Sequence, residues 1–215
     1  MIDSLIANAP LIWRGLVVTL KVSGLVLTIG TVIGIFGGLS LLYGRWPVRW
    51  LVRIYVDTIR GVPLLVLIFA IFYAFPVFLD MRLSAITTGV AALSAFCGAH
   101  VSEVIRGGIA SLPSGQTDAA KAIGLTFRQR LRYVIFPQAI SRILPPWTNT
   151  AVEMVKASSL VSLVSVIDLM LAVDQIIGRT RQTLFYYGVA ALIYFVINYT
   201  ISFIGLRLEK RFTYR

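Results

Sequence analysis

Three residues in one apolar run carry the chemistry that a bilayer tolerates least. Asn149, Glu153 and Lys156 stand at i, i+4 and i+7, so on a helix they form a single polar stripe. Ionisable side chains at membrane depth are costly, and they face a partner or a watery path. Three readings follow. Glu153 and Lys156 pair with each other at i, i+3; they pair across a subunit interface; or the stripe lines a passage and contacts cargo. Ser158 and Ser159 extend the polar character and are able to hydrate a channel, although serines also hold membrane helices together. Asp57, three residues before Arg60, reads as a local ion pair or as a gate or cargo contact, and Asp168 and Asp174 read as solvated loop charge or as contacts for a partner on the outer face. His100 reads as core packing. With one histidine, one cysteine (Cys97) and no metal-ligand spacing, the chain has no intrachain disulfide and no reactive constellation for a membrane enzyme.

The elements that position these residues follow from hydropathy. The 215 residues are 58% hydrophobic and 13% charged, with a mean hydropathy of +0.85, outside the range of soluble domains. Runs of about 20 apolar residues are needed to span hydrocarbon as a helix. Five runs qualify: 22–44, 61–79, 83–102, 143–167 and 182–206. The fold class is therefore an all-α integral membrane protein with five transmembrane helices, organised as one domain over 1–215. Residues 1–21 lack the basic opening of a cleaved signal peptide, and their apolar residues recur at helical spacing, which predicts an external interfacial helix leading into span one.

The net charge of +11 and pI near 10.3 would also suit a nucleic-acid binder, so the placement of the charge decides. Arg45, Arg49, Arg53 and Arg60 follow span one; six basic residues lie between Arg106 and Arg142; Arg207, Lys210, Arg211 and Arg215 close the chain. Arg14, Lys21, Arg82, Arg179 and Arg181 fall on the other side. Basic residues near span ends favour the cytoplasm, so the N-terminus is expected outside and the C-terminus inside. Gly30, Gly34 and Gly38 in span one share a helix face and read as a packing surface. Pro63 and Pro76 in span two, and Pro145 and Pro146 opening span four, predict bent or late-starting helices.

Between spans three and four runs DAAKAIGLTFRQRLRYVIFP, residues 118–137, within a cytoplasmic segment over 111–137. Pro113 suits a first helical turn, and a helix to about Ile123 carries Ala119, Ala120 and Ala122. Gly124 is placed to end it in the left-handed conformation. Thr126 and Gln129 fit a capping box that opens a second, arginine-rich helix, with Pro137 expected to end it. Such an elbow either presents a compact knob to a soluble partner or lies on anionic headgroups.

This segment resembles the cytoplasmic signature of ABC importer permeases. Asp118-Ala119-Ala120, Gly124 and Val134-Ile135-Phe136-Pro137 match it, with Asp for Glu, Val for Ile and Phe for Leu. The likeness extends over most of the chain to the polar amino-acid uptake branch, through Tyr55-Val-Asp-Thr-Ile-Arg60-Gly-Val-Pro63, Glu103-Val-Ile-Arg106-Gly-Gly-Ile, Pro113-Ser-Gly-Gln116 and Lys156-Ala-Ser-Ser-Leu-Val-Ser-Leu. The resemblance implies a type I ABC importer permease fold in a bacterial inner membrane. It implies a two-subunit pore, made with a second copy or a paralogue, whose elbow (Asp118, Ala119, Ala120, Gly124, Pro137) docks on two ATP-binding subunits. It also implies an extracytoplasmic amino-acid-binding protein. The chain has no G-x-x-x-x-G-K-[ST] phosphate loop, so it is expected to be non-catalytic and to hold no cofactor, with ATP and Mg bound by the partner. In the family an acidic residue stands at the position of Thr150, so Glu153 is particular to this chain. A carboxylate facing the path suits a cationic cargo: arginine, lysine or histidine. Glutamine or another polar amino acid is the alternative cargo; a secondary transporter and a non-transporting scaffold are the rival classes.

Overall fold

A computed structural model describes residues 2–79 and 84–212; the expected start of span three at Leu83, and Arg82 and Arg215 of the charge pattern, lie outside them. Every regular element described is helical. Helix α1 (Ile2–Tyr43) is followed by α2 (Trp46–Gly61), α3 (Leu64–Phe69) and α4 (Phe75–Leu79), the last two joined by a π-turn. Then come α5 (Ala85–Ala110), α6 (Ser114–Ala122), α7 (Phe127–Arg130), a second π-turn over Leu131–Ile135, and α8 (Phe136–Ala157). A 3-10 segment over Ser158–Val164 leads to α9 (Leu169–Thr180) and α10 (Thr183–Phe212). Three of these, α1, α5 and α10, are long and apolar enough to span a bilayer, and two bent pairs raise the number to five. In the first pair α2 meets the α3–α4 run at 109°, with the break at Val62 and Pro63, where a proline holds the backbone extended.

The bundle is built on the contact between α1 and α5. A Cβ placed on Gly30, Gly34 or Gly38 would run into Cys97, Val101 and Ile105 respectively, closer than real Cβ atoms come. Both sets repeat every four residues, so one stripe of bare backbone receives one stripe of side chains and the helices approach closely. The main apolar core grows from this seam, with Val22 and Val26 of α1, Leu93, Cys97 and Val101 of α5, and Met154 of α8 all buried. His100 stacks beside Phe96 at 4.3 Å and packs within this body.

Three expectations are corrected. Residues 2–21 are not a separate interfacial helix but the first half of α1, which runs unbroken for 42 residues. Ser4, Asn8, Ile12, Gly15 and Thr19 share a helix face, and that face packs on α9 and α10. Ser4 and Asn8 reach the Tyr186 hydroxyl at 2.7 and 3.1 Å, Ile12 is buried with Leu169, Val173 and Tyr186, and the Thr19 hydroxyl accepts from the Leu169 N–H at 3.0 Å. At about 63 Å long, α1 is roughly twice the thickness of the hydrocarbon core.

Pro137 does not end the elbow's second helix. The π-turn before it widens the coil, so Pro137 falls in the first turn of α8, where its missing N–H leaves no gap. Nor do Pro145 and Pro146 open the fourth span; α8 is already under way nine residues earlier and passes through both. Prolines inside a membrane helix are tolerated where neighbouring groups satisfy the freed backbone.

The glycine seam makes a direct prediction. Gly34→Val should lower stability by about 1–3 kcal/mol through overpacking, whereas Gly24→Val, where an added Cβ meets nothing within 4 Å, should leave the unfolding midpoint in a detergent titration unchanged.

Candidate functional site

The stripe lies on the open side of α8. Asn149, Glu153 and Lys156 are all exposed, while Thr150, Ala151, Met154 and Val155 on the opposite face are buried. Among the described residues, no ion pair or hydrogen bond joins Glu153 to Lys156, nor either of them to another side chain. The internal pairing is thus not formed, and an interface or a pathway remains. Asn149 lines a groove of about 320 Å³ against α10, with Ser202, Gly205 and Glu209. Lys156 and Ser159 line another of about 340 Å³, walled by Tyr187, Ala190 and Tyr194. Glu153 stands between the two along α8. Ser158 is turned away: it is 1% exposed, donates to the Val155 carbonyl at 2.8 Å and meets the Ser23 hydroxyl of α1 at 3.2 Å. Thr150 is buried too, its hydroxyl donating to the Pro146 carbonyl.

The elbow is a second, separate surface. Helix α6 ends at Ala122 with Ile123 as its cap, and Gly124 takes φ +79°. The Gly124 N–H donates to the Lys121 carbonyl at 2.9 Å and the Leu125 N–H to that of Ala120 at 3.1 Å, the paired bonds of a Schellman closure. Two residues on, the Thr126 N–H donates to Gln129 Oε1 at 2.8 Å and the Thr126 hydroxyl accepts from the Gln129 N–H. Both orphan ends are therefore closed within the ten residues from Ala120 to Gln129, and the turn is stiff. The alanines divide. Ala120 is buried against its own chain, whereas Ala119 and Ala122 are exposed beside Ile123, which is 76% exposed. Asp118 pairs with Lys121 at 3.0 Å in the open, a contact worth little by itself. Arg142 donates to the Ser111 carbonyl at 2.7 Å, and Gln138 donates to Gln116 Oε1 at 3.2 Å. The first ties the end of α5, and the second α6, to the base of α8.

A third feature escaped the sequence reading. Glu103 on α5 accepts from Arg53 of α2 at 2.8 Å and from Arg106, one turn on, at 2.7 Å; its side chain is 15% exposed. Asp57 pairs not with Arg60 but with Arg53, at 3.6 Å and i, i+4 spacing. The Tyr55 hydroxyl donates to the Ala95 carbonyl at 2.6 Å on the same interface. Together these bonds fix α2 across the end of α5, immediately before the elbow. The sequence held a signal: Glu103 is a carboxylate among arginines in a segment otherwise basic. Asp168 is also corrected. It is fully buried and caps α9, accepting from the Leu171 N–H at 2.9 Å, while Asp174 accepts from the Tyr187 hydroxyl at 3.0 Å.

Residues 30–214 match the family described as binding-protein-dependent transport system inner membrane component. The chain belongs to that family. It is 33% identical over 97% of its length to a probable amino-acid ABC transporter permease of Bacillus subtilis, covering 92% of that protein. It is 36% identical to the L-cystine transport system permease of the same organism, over 94% of this chain and 86% of that one. It is 34% identical to the glutamine transport system permease of Escherichia coli, over 94% and 93%. Among solved structures, an amino acid ABC transporter crystallised with histidines superimposes with a TM-score of 0.89 at 38% identity, covering 97% of each chain. An inward-facing methionine ABC transporter gives 0.81 at 20% identity, over 95% of this chain and 97% of that one, and shares the fold. The permease is an ABC transporter subunit and is itself non-catalytic.

The Glu103 bridge yields a test of the scaffold. Glu103→Gln should leave Arg106 half-buried without a counter-charge and Arg53 with Asp57 alone, and cost about 1–3 kcal/mol. A lowered thermal midpoint in detergent is expected, and Arg60→Gln, outside the bridge, should not reproduce it.

Proposed function

We propose that this permease forms, with a second copy or a paralogue, the membrane pathway of an ATP-driven importer of polar amino acids, and that its preferred cargo is basic: arginine, lysine or histidine. The observation that carries this reading is the uncovered stripe on α8, which offers a carboxylate, an ammonium and an amide and is neutralised by nothing among the described residues. Lys156 supplies a cation for an α-carboxylate. Glu153 supplies an anion for a cationic side chain, and Asn149 a donor and an acceptor between them and the α8–α10 groove. That the solved relative at 38% identity was crystallised with histidines supports a basic cargo. Relatives named for glutamine favour the second reading, in which the Asn149 amide recognises the cargo and Glu153 acts at the interface between subunits.

In this reading the elbow is the coupling surface. Two ATP-binding subunits, which hold the ATP and Mg, seat Ala119, Ala122 and Ile123, while Ala120 and Pro137 support them from within and Asp118 rims the contact. An extracytoplasmic amino-acid-binding protein delivers cargo at the opposite end. The protein is a multi-pass inner-membrane component, and the basic bias supports an N-terminus outside and a C-terminus in the cytoplasm.

Two measurements in proteoliposomes holding the assembled transporter test the proposal. Glu153→Gln should reduce ATP-driven arginine uptake about tenfold or more, the worth of a charged hydrogen bond, and leave glutamine uptake nearly unchanged; equal loss for both returns Glu153 to a structural role. Gly124→Val should insert normally yet fail to transport, because a β-branched residue resists φ +79°. Gly124→Asn, which tolerates that conformation, should transport.

A further inference from the structure

We propose that the junction where α1 ends, α2 begins and α7 passes binds the phosphate of an anionic phospholipid in the leaflet on which α2 rests. That leaflet is the cytoplasmic one under the orientation proposed above; the site itself does not depend on it. Helix α1 carries no charge from Val22 to Tyr43, and the chain then turns into α2, whose outward side carries Trp46, Trp50, Leu51 and Ile54, with Trp46 74% and Trp50 55% exposed. Tryptophan prefers the headgroup boundary, where its ring is half in hydrocarbon and its N–H reaches polar groups. An amphipathic basic helix with such a face lies in the interface plane.

Three arginines stand on the segments that meet at this turn. Arg45 and Arg49 are exposed at the start of α2, and Arg49 donates to the Gly44 carbonyl at 3.2 Å. From the other side, Phe127 of α7 sets its ring edge-on to Tyr43, with centroids 5.0 Å apart. The Arg130 guanidinium lies 6.0 Å from the centre of that Phe127 ring. The Nε of Arg130 is buried and has no acceptor. The nearby carboxylates are spoken for, since Glu103 and Asp57 are held by Arg53 and Arg106. Among the described residues, no ion pair reaches Arg45, Arg49 or Arg130.

A buried N–H without an acceptor is unfavourable. An anion with several acceptor oxygens would serve these arginines, at the depth where an apolar span gives way to tryptophans. A phospholipid phosphate meets those terms, with its acyl chains running down the exposed side of α1. A soluble ATPase surface supplies carboxylates but would leave Trp46 and Trp50 against water.

The test is titration of the purified full chain in detergent, read by native mass spectrometry, with dioleoyl phosphatidylglycerol, dioleoyl phosphatidylcholine and inorganic phosphate. The phosphatidylglycerol complex should dominate. Replacing Arg45, Arg49 and Arg130 together by glutamine should weaken it about a hundredfold, at roughly fivefold per arginine near a membrane surface. The charge-matched triple variant Arg14→Gln, Arg179→Gln and Arg181→Gln, at the other end of α1, should bind as the unaltered chain does. Undiminished phosphatidylglycerol binding in the first variant overturns the proposal. So does inorganic phosphate binding as tightly as the lipid, which would make this a free-anion site. Loss of the ATP-binding subunits in a pull-down with lipid binding unchanged would assign the arginines to that partner and overturn it too. The titration contains neither ATPase nor cargo, so its failure leaves the importer reading intact, and a failed uptake assay leaves the lipid site intact.

Discussion

The rest of the structure depends on how closely α1 and α5 approach. Lipid chains are as apolar as leucine, so two helices in a membrane gain little from burying apolar surface on each other and must be held by close packing and by polar bonds. Gly30, Gly34 and Gly38 allow that packing along a shared four-residue repeat. Once α5 is fixed, its C-terminal end has a definite place. That end carries Glu103, which draws α2 across through Arg53, and it leads within four residues into α6. A loosened seam would thus be felt at the elbow, some two turns and a bend away.

The elbow shows how a short segment becomes stiff without a core of its own. Nine residues of α6 are too few for an isolated helix to be stable in water. Here one end is closed by backbone bonds through Gly124 and the next element is opened by the Thr126–Gln129 pair, so few orphan groups are left to favour an unwound alternative. The bonds from Arg142 and Gln138 then tie the segment to α8. A push received at Ile123 has a continuous path of bonded elements into the helix that bears Glu153.

Legibility in the sequence followed the range of the interaction. The Gly124 turn and the capping box were readable because each is decided within six residues, and the glycine face because its repeat is visible on one helix. The five apolar runs were readable because hydrocarbon thickness sets their length. What escaped depended on distant partners. Nothing local shows that Ser4, Asn8 and Thr19 meet Tyr186 and Leu169, more than 140 residues away, so the first half of α1 read as a surface helix. The prolines at 137, 145 and 146 read as breaks because their tolerance rests on a π-turn and on neighbouring helices. Asp168 read as loop charge, since its cap lies inside a fold the sequence does not draw. The stripe itself was legible as a pattern, but which way it faces was not.

The contrast between the two glutamates carries the last step. Glu103 sits near the end of a span, where water is close and a lone carboxylate would be tolerable, yet it is gripped by two arginines. Glu153 sits within a span, where a lone carboxylate is far more costly, yet α8 turns it outward with Lys156 and leaves both without a partner among the described residues. A chain folding as a finished unit would satisfy the deeper charge first. The reversed order fits the proposed reading, in which the groups that lower the cost of Glu153 and Lys156 come from a second subunit or from the solute that passes between them.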